Sequence, residues 1–352
     1  MGQFSMTISA GAGSVLNDNQ QSTDAQLSHM LAFEAAWTRA LAATNRLDAR
    51  SAEHTAMAIS LHRTDISDLA NGAAQDGLPI PALIRQLKRG ANNPAEIHTG
   101  TTSQDVLDTA LAITLRGVTD LIQTRLANLD SELRRLEDTY GANVLMGRTR
   151  MQAAMPITVA DRVRTWRLPI LDHKKRFDVL RLRTERVQIG GAAGDRAALG
   201  KDGMAIAAHV AQELDLGNPA FAWHAMRDGL VEYSGTLSLT TGTLGKMGQD
   251  ICLMAQQGID EIVLSGGGGS SAMPHKQNPV LAELLVTLAR FNAVQVSGMH
   301  QSLVHEQERS GAAWALEWML LPQMCLATCR SLAAAINLCK GITRIGMEGN
   351  EG

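Results

Sequence analysis

The stretch that decides the fold runs from Leu107 to Leu136 and reads LDTALAITLRGVTDLIQTRLANLDSELRRL. Apolar side chains recur in it at intervals of three or four residues, which is the spacing of one face of an α-helix. The stripe continues beyond the length of an ordinary globular helix, so partner helices have to cover it and a long helical bundle is predicted. Its members are Leu107, Leu111, Leu115, Val118, Ile122, Leu126, Leu129, Leu133 and Leu136.

The composition favours an all-α fold and excludes some classes of function. Aromatic residues make up only 3% of the 352 residues, whereas strands are normally rich in aromatic and β-branched residues. The hydrophobic share of 45% is ample for one large core or two. A formal net charge of −3 gives no basic footprint, so no nucleic-acid partner is expected.

The helical patterns divide the chain into four parts. We expect an extended N-terminal arm at residues 1–22, a small N-terminal helical domain at 23–102, a central helical-bundle domain at 103–340 and a polar tail at 341–352. Three or four long helices of the bundle domain carry more apolar surface than a solvent-facing monomer tolerates. The bundle is therefore expected to be shared between copies of the chain in an oligomer.

Two local predictions concern the connections between helices. Hydrophobic periodicity predicts one continuous helix from about Ser51 to Ala70. The segment from Tyr140 to Pro156 is predicted to be a loop between two long helices.

The cellular location is predicted from features that the sequence lacks. Met1 to Leu16 shows no basic region followed by an apolar run, and no segment is judged long and apolar enough to span a membrane. The cysteines lie within helical patterns and lack the spacing of a secreted scaffold. Cys325 and Cys329, one helical turn apart, are interpreted as core residues, with a shared metal as the alternative. A cytoplasmic protein without a membrane partner is expected.

The strongest signs of chemistry are in the loop SGGGGSSAMPHKQNP, from Ser265 to Pro279. Four consecutive glycines hold neither a helix nor a strand, so a mobile polar loop between two long helices is predicted. Lys276 and Asn278, beside the amides of a glycine-rich turn, make a site for a carboxylate or a developing enolate. Ser270 is a candidate nucleophile or proton-transfer group. The alternative is a flexible linker, but a linker does not need the run Met-Pro-His-Lys-Gln-Asn-Pro.

A second candidate segment is IHTGTTSQD, from Ile97 to Asp105, at the start of the longest predicted helix. Thr102 or Ser103 is a natural N-cap there. The free amides and the positive end of the helix dipole form an anion site, to which His98 could contribute. The alternative is an ordinary helix cap with His98 on a solvated loop.

A third candidate segment is MGRTRMQ, at residues 146–152, which precedes another long helix. Arg148 and Arg150 offer the planar, two-pronged hydrogen bonding that suits a carboxylate. The alternative is an ordinary surface ion pair.

Two further polar segments lie between apolar helices. In WHAMRD, at residues 223–228, His224 or Arg227 is a candidate, with a solvated turn as the alternative. In HEQERSGAAW, at residues 305–314, Arg309 is the most plausible contact for an anion, with a charged connecting loop as the alternative.

No cofactor or metal is expected. The sequence has no metal-ligand cluster of suitable spacing, no phosphate-loop lysine motif and no dinucleotide fingerprint. The glycine-rich run from Gly190 to Gly194 does not follow a strand-like segment, so it is not interpreted as a nucleotide site.

The glycine-rich loop also carries a family signature. Residues Gly269 to Asn278 read GSSAMPHKQN, and Glu283 follows five residues later. This pattern resembles the signature of the fumarase/aspartase superfamily. In the order that the superfamily uses, residues 98–105 resemble its His-x-Gly-x-Thr-Ser-x-Asp segment and residues 147–152 resemble its Gly-Arg-Thr-His-x-Gln segment.

The resemblance covers about residues 24–340 and implies a fold, an assembly and a site. Superfamily members are metal-free homotetramers with a central helical bundle, and each active site takes segments from three subunits. They eliminate a group β to a carboxylate or run the reverse addition. The implied catalytic residues are Ser270 and Lys276, and Arg150 occupies a third catalytic position of the superfamily. The implied substrate-binding residues are His98, Thr102, Ser103, Asn278, Arg309 and Gln152, with Glu283, Ser271, Met273 and His224 in supporting positions.

Within the superfamily the sequence is most similar to the 3-carboxy-cis,cis-muconate cycloisomerase family. The run HEQERSGAAWALEW, from His305 to Trp318, resembles that family more than the adenylosuccinate lyases. The resemblance implies a tricarboxylate substrate, which such enzymes convert to 4-carboxymuconolactone in protocatechuate degradation (the β-ketoadipate pathway). The alternatives are another lyase of the superfamily, such as adenylosuccinate lyase, and a helical assembly protein without catalysis.

Two departures from the superfamily pattern bear on this interpretation. Arg150 stands where the superfamily has a histidine that usually protonates a leaving nitrogen or oxygen, and an arginine stays protonated. Opening a lactone by β-elimination expels a carboxylate, whose pKa of about 4 means that it needs no proton to leave. The departure favours the cycloisomerase and counts against adenylosuccinate or argininosuccinate lyase activity. The chain also ends soon after the last bundle helix, so the usual C-terminal domain is expected to be absent.

Overall fold

A computed structural model describes residues 16–266, 268–269, 273 and 277–347, with the backbone alone for residues 16–24. Most of these residues are helical, as the composition and the periodicity predict. The α-helices are α1 Leu16–Ala43, α2 Ala49–Ser60, α3 Ile66–Asp76, α4 Ile80–Arg89, α5 Ser103–Tyr140, α6 Val159–Thr184, α7 Gly203–Leu214, α8 Asp228–Met254, α9 Val280–Gln301 and α10 Ala312–Lys340. Short 3-10 helices cover Pro94–Glu96 and Ala197–Asp202, and the strands are β1 Val144–Thr149, β2 Gln152–Thr158, β3 Ile262–Leu264 and β4 Ile342–Ile345.

The first of two compact units contains the chain up to Gly117 together with Arg181–Gly229 and Leu303–Ala315. Within this unit α1 packs against α2 and α7. The rings of Phe33 and Trp37 are fully buried on α1 and stack with their centroids 6.0 Å apart. The unit therefore has a core of its own around α1.

Two helix boundaries in this unit differ from the prediction. The helix α1 begins at Leu16, so the part of the predicted arm from residue 16 to residue 22 is helical. The predicted helix at residues 51–70 is two helices, because Asp65 starts a new one. Its carboxylate accepts hydrogen bonds from the amides two and three residues later, which is the geometry of an N-cap.

The second compact unit is a bundle of long helices, built from Val118–Leu180, Leu230–Ser302 and Leu316–Gly352. Hydrogen bonds between buried side chains join its helices. The hydroxyls of Thr119 and Tyr233 lie 2.9 Å apart between α5 and α8, and the amide of Asn292 on α9 donates to the hydroxyl of Thr328 on α10 at 3.0 Å. The predicted stripe on α5 faces inward, since it is fully buried at Ile122, Leu126, Leu129, Leu133 and Leu136.

The predicted loop at residues 140–156 is largely a β-hairpin, so the all-α prediction is correct only for the main architecture. β1 and β2 pair antiparallel, with Thr149 opposite Gln152. The two residues between them, Arg150 and Met151, have φ values of 49° and 66°. A two-residue turn with both residues left-handed suits the twist of a hairpin, but such turns usually contain Asn and Gly. The residues Arg150 and Met151 therefore did not predict a hairpin turn at this position.

A second small sheet joins distant parts of the bundle unit. β3 pairs antiparallel with β4, and Ile262 lies opposite Ile345. Residues 341–352 were predicted to be a polar tail, which is wrong for β4 because its first and last residues, Ile342 and Ile345, are buried. The pairing joins segments about eighty residues apart, and local periodicity carries no information on such a contact.

Two bundle helices leave apolar surface uncovered. α9 and α10 are long and apolar enough to cross a membrane by length and composition, which corrects the expectation that no segment meets that test. The core helices of soluble proteins pass the same test, so the finding is weak evidence for a membrane. Val294 on α9 is 73% exposed and Met319 on α10 is 57% exposed. Such surfaces are typical of an interface with another chain.

Candidate active site

The N-terminus of α5 is capped by its own carboxylate. The hydroxyl of Thr101 and the amide of Thr102 donate to Oδ2 of Asp105, at 3.0 and 3.1 Å. The amides of Ser103 and Gln104 find no acceptor among the described residues, as expected for the first turn of a helix. Thr102 and Ser103 are half-buried at this end, where two free N–H groups remain for an anion.

Asp105 also fixes the loop that follows α6, which contains Gly190 and Gly191. The carboxylate is fully buried and accepts the amides of Gly190 and Gly191 at 2.8 and 2.9 Å. It further accepts Nε2 of His224 at 2.8 Å. Because His224 is almost fully buried and packed against this loop, its role here is to hold the loop. A side chain at Gly190 would come within 2.7 Å of Cε1 of His224, so only glycine fits there.

A second buried carboxylate, Asp108, organises the neighbouring turn of α5. The guanidinium of Arg227 donates to both of its oxygens, and the guanidinium carbon lies 4.9 Å from the ring centroid of Trp223. The side-chain amides of Gln104 and Gln188 donate to the same carboxylate, at 3.1 and 3.2 Å. Arg227 is therefore committed to this network and is unsuited to bind a ligand.

Arg309 has a different environment. Its Nε donates to the side-chain oxygen of Gln104 at 3.0 Å, and one terminal nitrogen donates to the backbone oxygens of Gly191 and Ala192 at 3.3 and 3.2 Å. All three acceptors are neutral, and no carboxylate of the described residues pairs with this exposed arginine. A fixed guanidinium without a counter-charge is suited to bind a carboxylate.

His98 lies on the loop before α5 and is held from behind. Its Nδ1 is 2.6 Å from Oε1 of Glu34, a residue of α1 that is fully buried. The side chain of His98 is 17% exposed. His98, Thr102, Ser103, His224 and Arg309 thus all belong to the first compact unit.

In the second unit, the two arginines of the hairpin differ in their contacts. Arg148 forms an ion pair with Glu261. For this arginine the alternative given for residues 146–152, an ordinary ion pair, is therefore the one observed. Arg150, at the tip of the hairpin, is exposed and has no partner among the described residues, and Gln152 beside it is exposed as well. Arg150 and Glu283 form no ion pair with each other in the described part of the chain.

The glycine-rich loop is described only in part. Ser270, Ser271 and Lys276 lie outside the described residues, while Met273 is 43% exposed. The two ends of the loop are joined, because the amide and carbonyl groups of Gly268 and Asn278 exchange hydrogen bonds of 3.0 and 2.9 Å. This bridge leaves the half-buried side chain of Asn278 for other contacts.

Glu283 lies just beyond that loop, on the first turn of α9. The side chain is exposed. Burial and the nearby carboxylate of Glu283 raise the pKa of the Cys252 thiol on α8.

Sequence reasoning missed the buried acids that position these residues. Glu34 lies on the buried, apolar face of α1, between Met30 and Trp37 in the sequence. A charged residue on a buried face is a signal in itself, because it is rarely buried without a partner. Gln104 lies within the predicted segment at residues 97–105 and Asp108 follows it, but nothing in the sequence indicates what their side chains bind.

The comparisons with known proteins agree with this architecture. A family model described as lyase matches residues 17–298, and the chain belongs to this family, of the fumarase/aspartase superfamily. A 3-carboxy-cis,cis-muconate cycloisomerase of Pseudomonas aeruginosa is 36% identical over 325 residues, which cover 90% of this chain and 71% of that protein. An N-acetyl-S-(2-succino)cysteine lyase of Dickeya dadantii is 31% identical, over 79% of this chain and 62% of that protein.

A solved structure of a Pseudomonas putida enzyme is also similar. It is the 3-carboxy-cis,cis-muconate lactonizing enzyme, with a TM-score of 0.85 and 34% identity, covering 91% of this chain and 72% of that one. The family predicted from the glycine-rich loop is thereby confirmed. Similarity to cycloisomerases is higher than to the lyase named above, so the comparisons support the predicted cycloisomerase function over its alternatives.

Proposed function

We propose that this chain is a cycloisomerase that interconverts 3-carboxy-cis,cis-muconate and 4-carboxymuconolactone. The observation that carries the proposal is the 36% identity to a cycloisomerase over nine-tenths of the chain, together with Arg150 in place of the superfamily histidine. The exposed position of Arg150 at a hairpin tip, without a partner among the described residues, suits a cation that meets a carboxylate.

The proposed reaction is an addition across a double bond. A substrate carboxylate attacks the ring-closing carbon, so a C–O bond forms and the electron pair of the double bond moves to the adjacent α-carbon. That carbon becomes carbanion-like, and the charge is delocalised into a second carboxylate. Ser270 delivers a proton to the α-carbon in this direction and removes it in the reverse direction.

The remaining residues bind and orient charge. Lys276 and Asn278 stabilise the developing aci-carboxylate, and electrostatic stabilisation of this kind is typically worth a few kcal/mol, on the order of 3. Arg150 orients the carboxylate that attacks and, in reverse, leaves. Since no leaving nitrogen or oxygen needs a proton, a permanent cation is sufficient at this position.

The three carboxylates of the substrate require a cationic, donor-rich pocket. In the first unit, Arg309 and the free amides at the N-terminus of α5 provide such donors, with His98, Thr102 and Ser103. Gln152 is assigned to substrate binding, with Ser271, Met273, His224 and Glu283 in supporting roles.

We propose that the assembly is a homotetramer in a soluble, cytoplasmic protein, with each active site shared among three subunits. The exposed apolar residues of α9 and α10 support this, since packing against other copies would cover them. Light scattering of the purified chain should give four times the mass of one chain, and a monomer would contradict the shared site.

An ultraviolet assay tests the proposed function directly. Lactonisation destroys the conjugated diene, so absorbance should fall when the protein is added to 3-carboxymuconate. Adenylosuccinate and N-acetyl-S-(2-succino)cysteine serve as comparison substrates in the same series. Conversion of either one, with 3-carboxymuconate left unchanged, would overturn the proposal in favour of a lyase.

A further inference from the structure

Glu34 is a buried carboxylate on α1 to which the proposed reaction gives no task. The residue is fully buried, as are Trp37 and Thr38 on the same face of the helix. Its Oε1 lies 2.6 Å from Nδ1 of His98, whereas its Oε2 is buried without a hydrogen-bond partner in the described part of the chain. Burying an ionised group with one oxygen unpaired is unfavourable, so this arrangement costs stability.

The loop that carries His98 is anchored to α1 at two successive residues. The indole N–H of Trp37, one turn after Glu34, donates to the backbone oxygen of Thr99 at 3.0 Å. His98 itself has a left-handed φ of 60°, which is uncommon for a residue with a Cβ atom. The left-handed backbone of His98 and the buried carboxylate of Glu34 beside it mark a position whose geometry is maintained at the expense of stability.

The contact with Glu34 determines which ring nitrogen meets a ligand. An ionised carboxylate only accepts hydrogen bonds, so Nδ1 of His98 must carry the hydrogen between them. Nε2 on the far side of the ring has no partner among the described residues, and the side chain is 17% exposed. An imidazolium donates from both nitrogens, and it would therefore bridge Glu34 and a second carboxylate.

We propose that Glu34 is a positioning residue that fixes the orientation of His98, so that the imidazolium donates from Nε2 to a carboxylate of the substrate. The proposal rests on the proposed function, in which His98 contacts the substrate. Glu34 acts only through His98, and it makes no contact with the substrate itself.

The first test compares Glu34→Gln with Thr38→Val in the ultraviolet assay. The change to glutamine keeps the size of the side chain and removes its charge, so KM should rise at least about tenfold with little change in kcat. Thr38→Val is the matched control, because Thr38 is equally buried on the same helix and its hydroxyl donates only to the backbone oxygen of Glu34. The control should leave KM within about twofold, and an equal effect of both variants would overturn the proposal.

A double-mutant cycle separates positioning from a purely structural role. In a His98→Ala background the effect of Glu34→Gln on KM should shrink to within about twofold, because residues that act as one unit are not additive. An undiminished effect would show that Glu34 acts elsewhere. If the background turns over too slowly, the dissociation constant of 3-carboxymuconate, measured by calorimetry, replaces KM. If Glu34→Gln does not fold, the cycle is run with Glu34→Asp.

Two further readouts do not depend on turnover. Glu34→Leu should melt at a temperature no lower than that of the wild type, since it removes a poorly satisfied buried charge. The hydrogen between Nδ1 and Glu34 should give a downfield proton resonance that is lost in Glu34→Leu, and its absence from the wild type would overturn the proposal. If the wild type leaves 3-carboxymuconate unconverted while the resonance is present, the proposed function fails and the Glu34–His98 pair stands.

Discussion

Arg227 donates to both carboxylate oxygens of Asp108, at 2.7 and 3.1 Å, and neither side chain is more than 1% exposed. Breaking a buried pair by removing one partner leaves an uncompensated charge. The variant Arg227→Leu should therefore lower the free energy of unfolding by about 3–5 kcal/mol, as measured by urea denaturation. Lys175 provides a control, because its ion pair with Asp172 is exposed. Lys175→Ala should cost less than about 1 kcal/mol, and equal losses would refute the argument.

The turn of the hairpin offers a test of backbone strain. Met151 is 72% exposed and has a φ of 66°, whereas Met155 on β2 is 71% exposed and extended. Glycine relieves the cost of a left-handed residue but adds freedom to the unfolded chain. Met151→Gly should therefore raise the free energy of unfolding by about 0.5 kcal/mol, and Met155→Gly should lower it by about 0.5–1 kcal/mol. Destabilisation of the same size by both variants would contradict the assigned turn.

The stability of the bundle should depend on pH through His173. Desolvation by burial, and secondarily the charge of Arg176, lowers the pKa of His173 to about 4 from an ordinary value of 6.5. Between these two pKa values the unfolded chain binds more protons than the folded chain. The contribution of His173 to the free energy of unfolding is therefore complete above pH 6.5 and is lost as the pH falls towards 4. Unfolding curves of His173→Gln should show less acid destabilisation than the wild type in that window. His209→Gln is the control, because His209 is exposed. An identical acid response of His173→Gln and the wild type would contradict the prediction.

Removal of the Ser270 hydroxyl tests the proposed proton transfer. Ser270→Ala should lower kcat by about 10²–10⁴-fold, the usual contribution of a positioned acid or base, while substrate binding is retained. Ser265→Ala is the control, because that hydroxyl donates to the backbone oxygen of Gly341 at the base of the loop. Near-normal turnover by Ser270→Ala would remove this serine from the mechanism.

A substitution at Arg150 tests the argument about the leaving group. Arg150→His should reduce cycloisomerase activity without producing adenylosuccinate cleavage, since a histidine loses the permanent charge that a carboxylate needs. Arg164→His, at an exposed ion pair on α6, should leave turnover close to that of the wild type. Strong adenylosuccinate cleavage by Arg150→His would show that the role of this position is misassigned.

The sequence predicted features that depend on local pattern. The helices of the bundle follow from periodicity, and the stripe from Leu107 to Leu136 predicted the extent of α5 to within a few residues at each end. The hairpin was missed because Arg150 and Met151 adopt left-handed conformations that nothing in their identity favours. The pairing of β3 with β4 was missed because it joins segments far apart in the chain.

The candidate site shows the same division. His98, Thr102, Ser103 and Arg309 could be named because polar residues between apolar helices stand out in the sequence. Glu34 could not be assigned a partner, since the contact with His98 depends on how α1 packs against the loop before α5. Local pattern thus identifies the candidate residues of the site more readily than the buried residues that hold them in place.

The pairing of β3 with β4 has a consequence for synthesis of the chain. The amide of Ser265 donates to the backbone oxygen of Gly341 at 2.7 Å, so the entrance to the glycine-rich loop is fastened by residues made about seventy-five positions later. While a nascent chain has not yet released that segment from the ribosome, this end of the loop lacks its anchor. The hydrogen bond at Ser265 can therefore form only after the helices of the bundle have been synthesised.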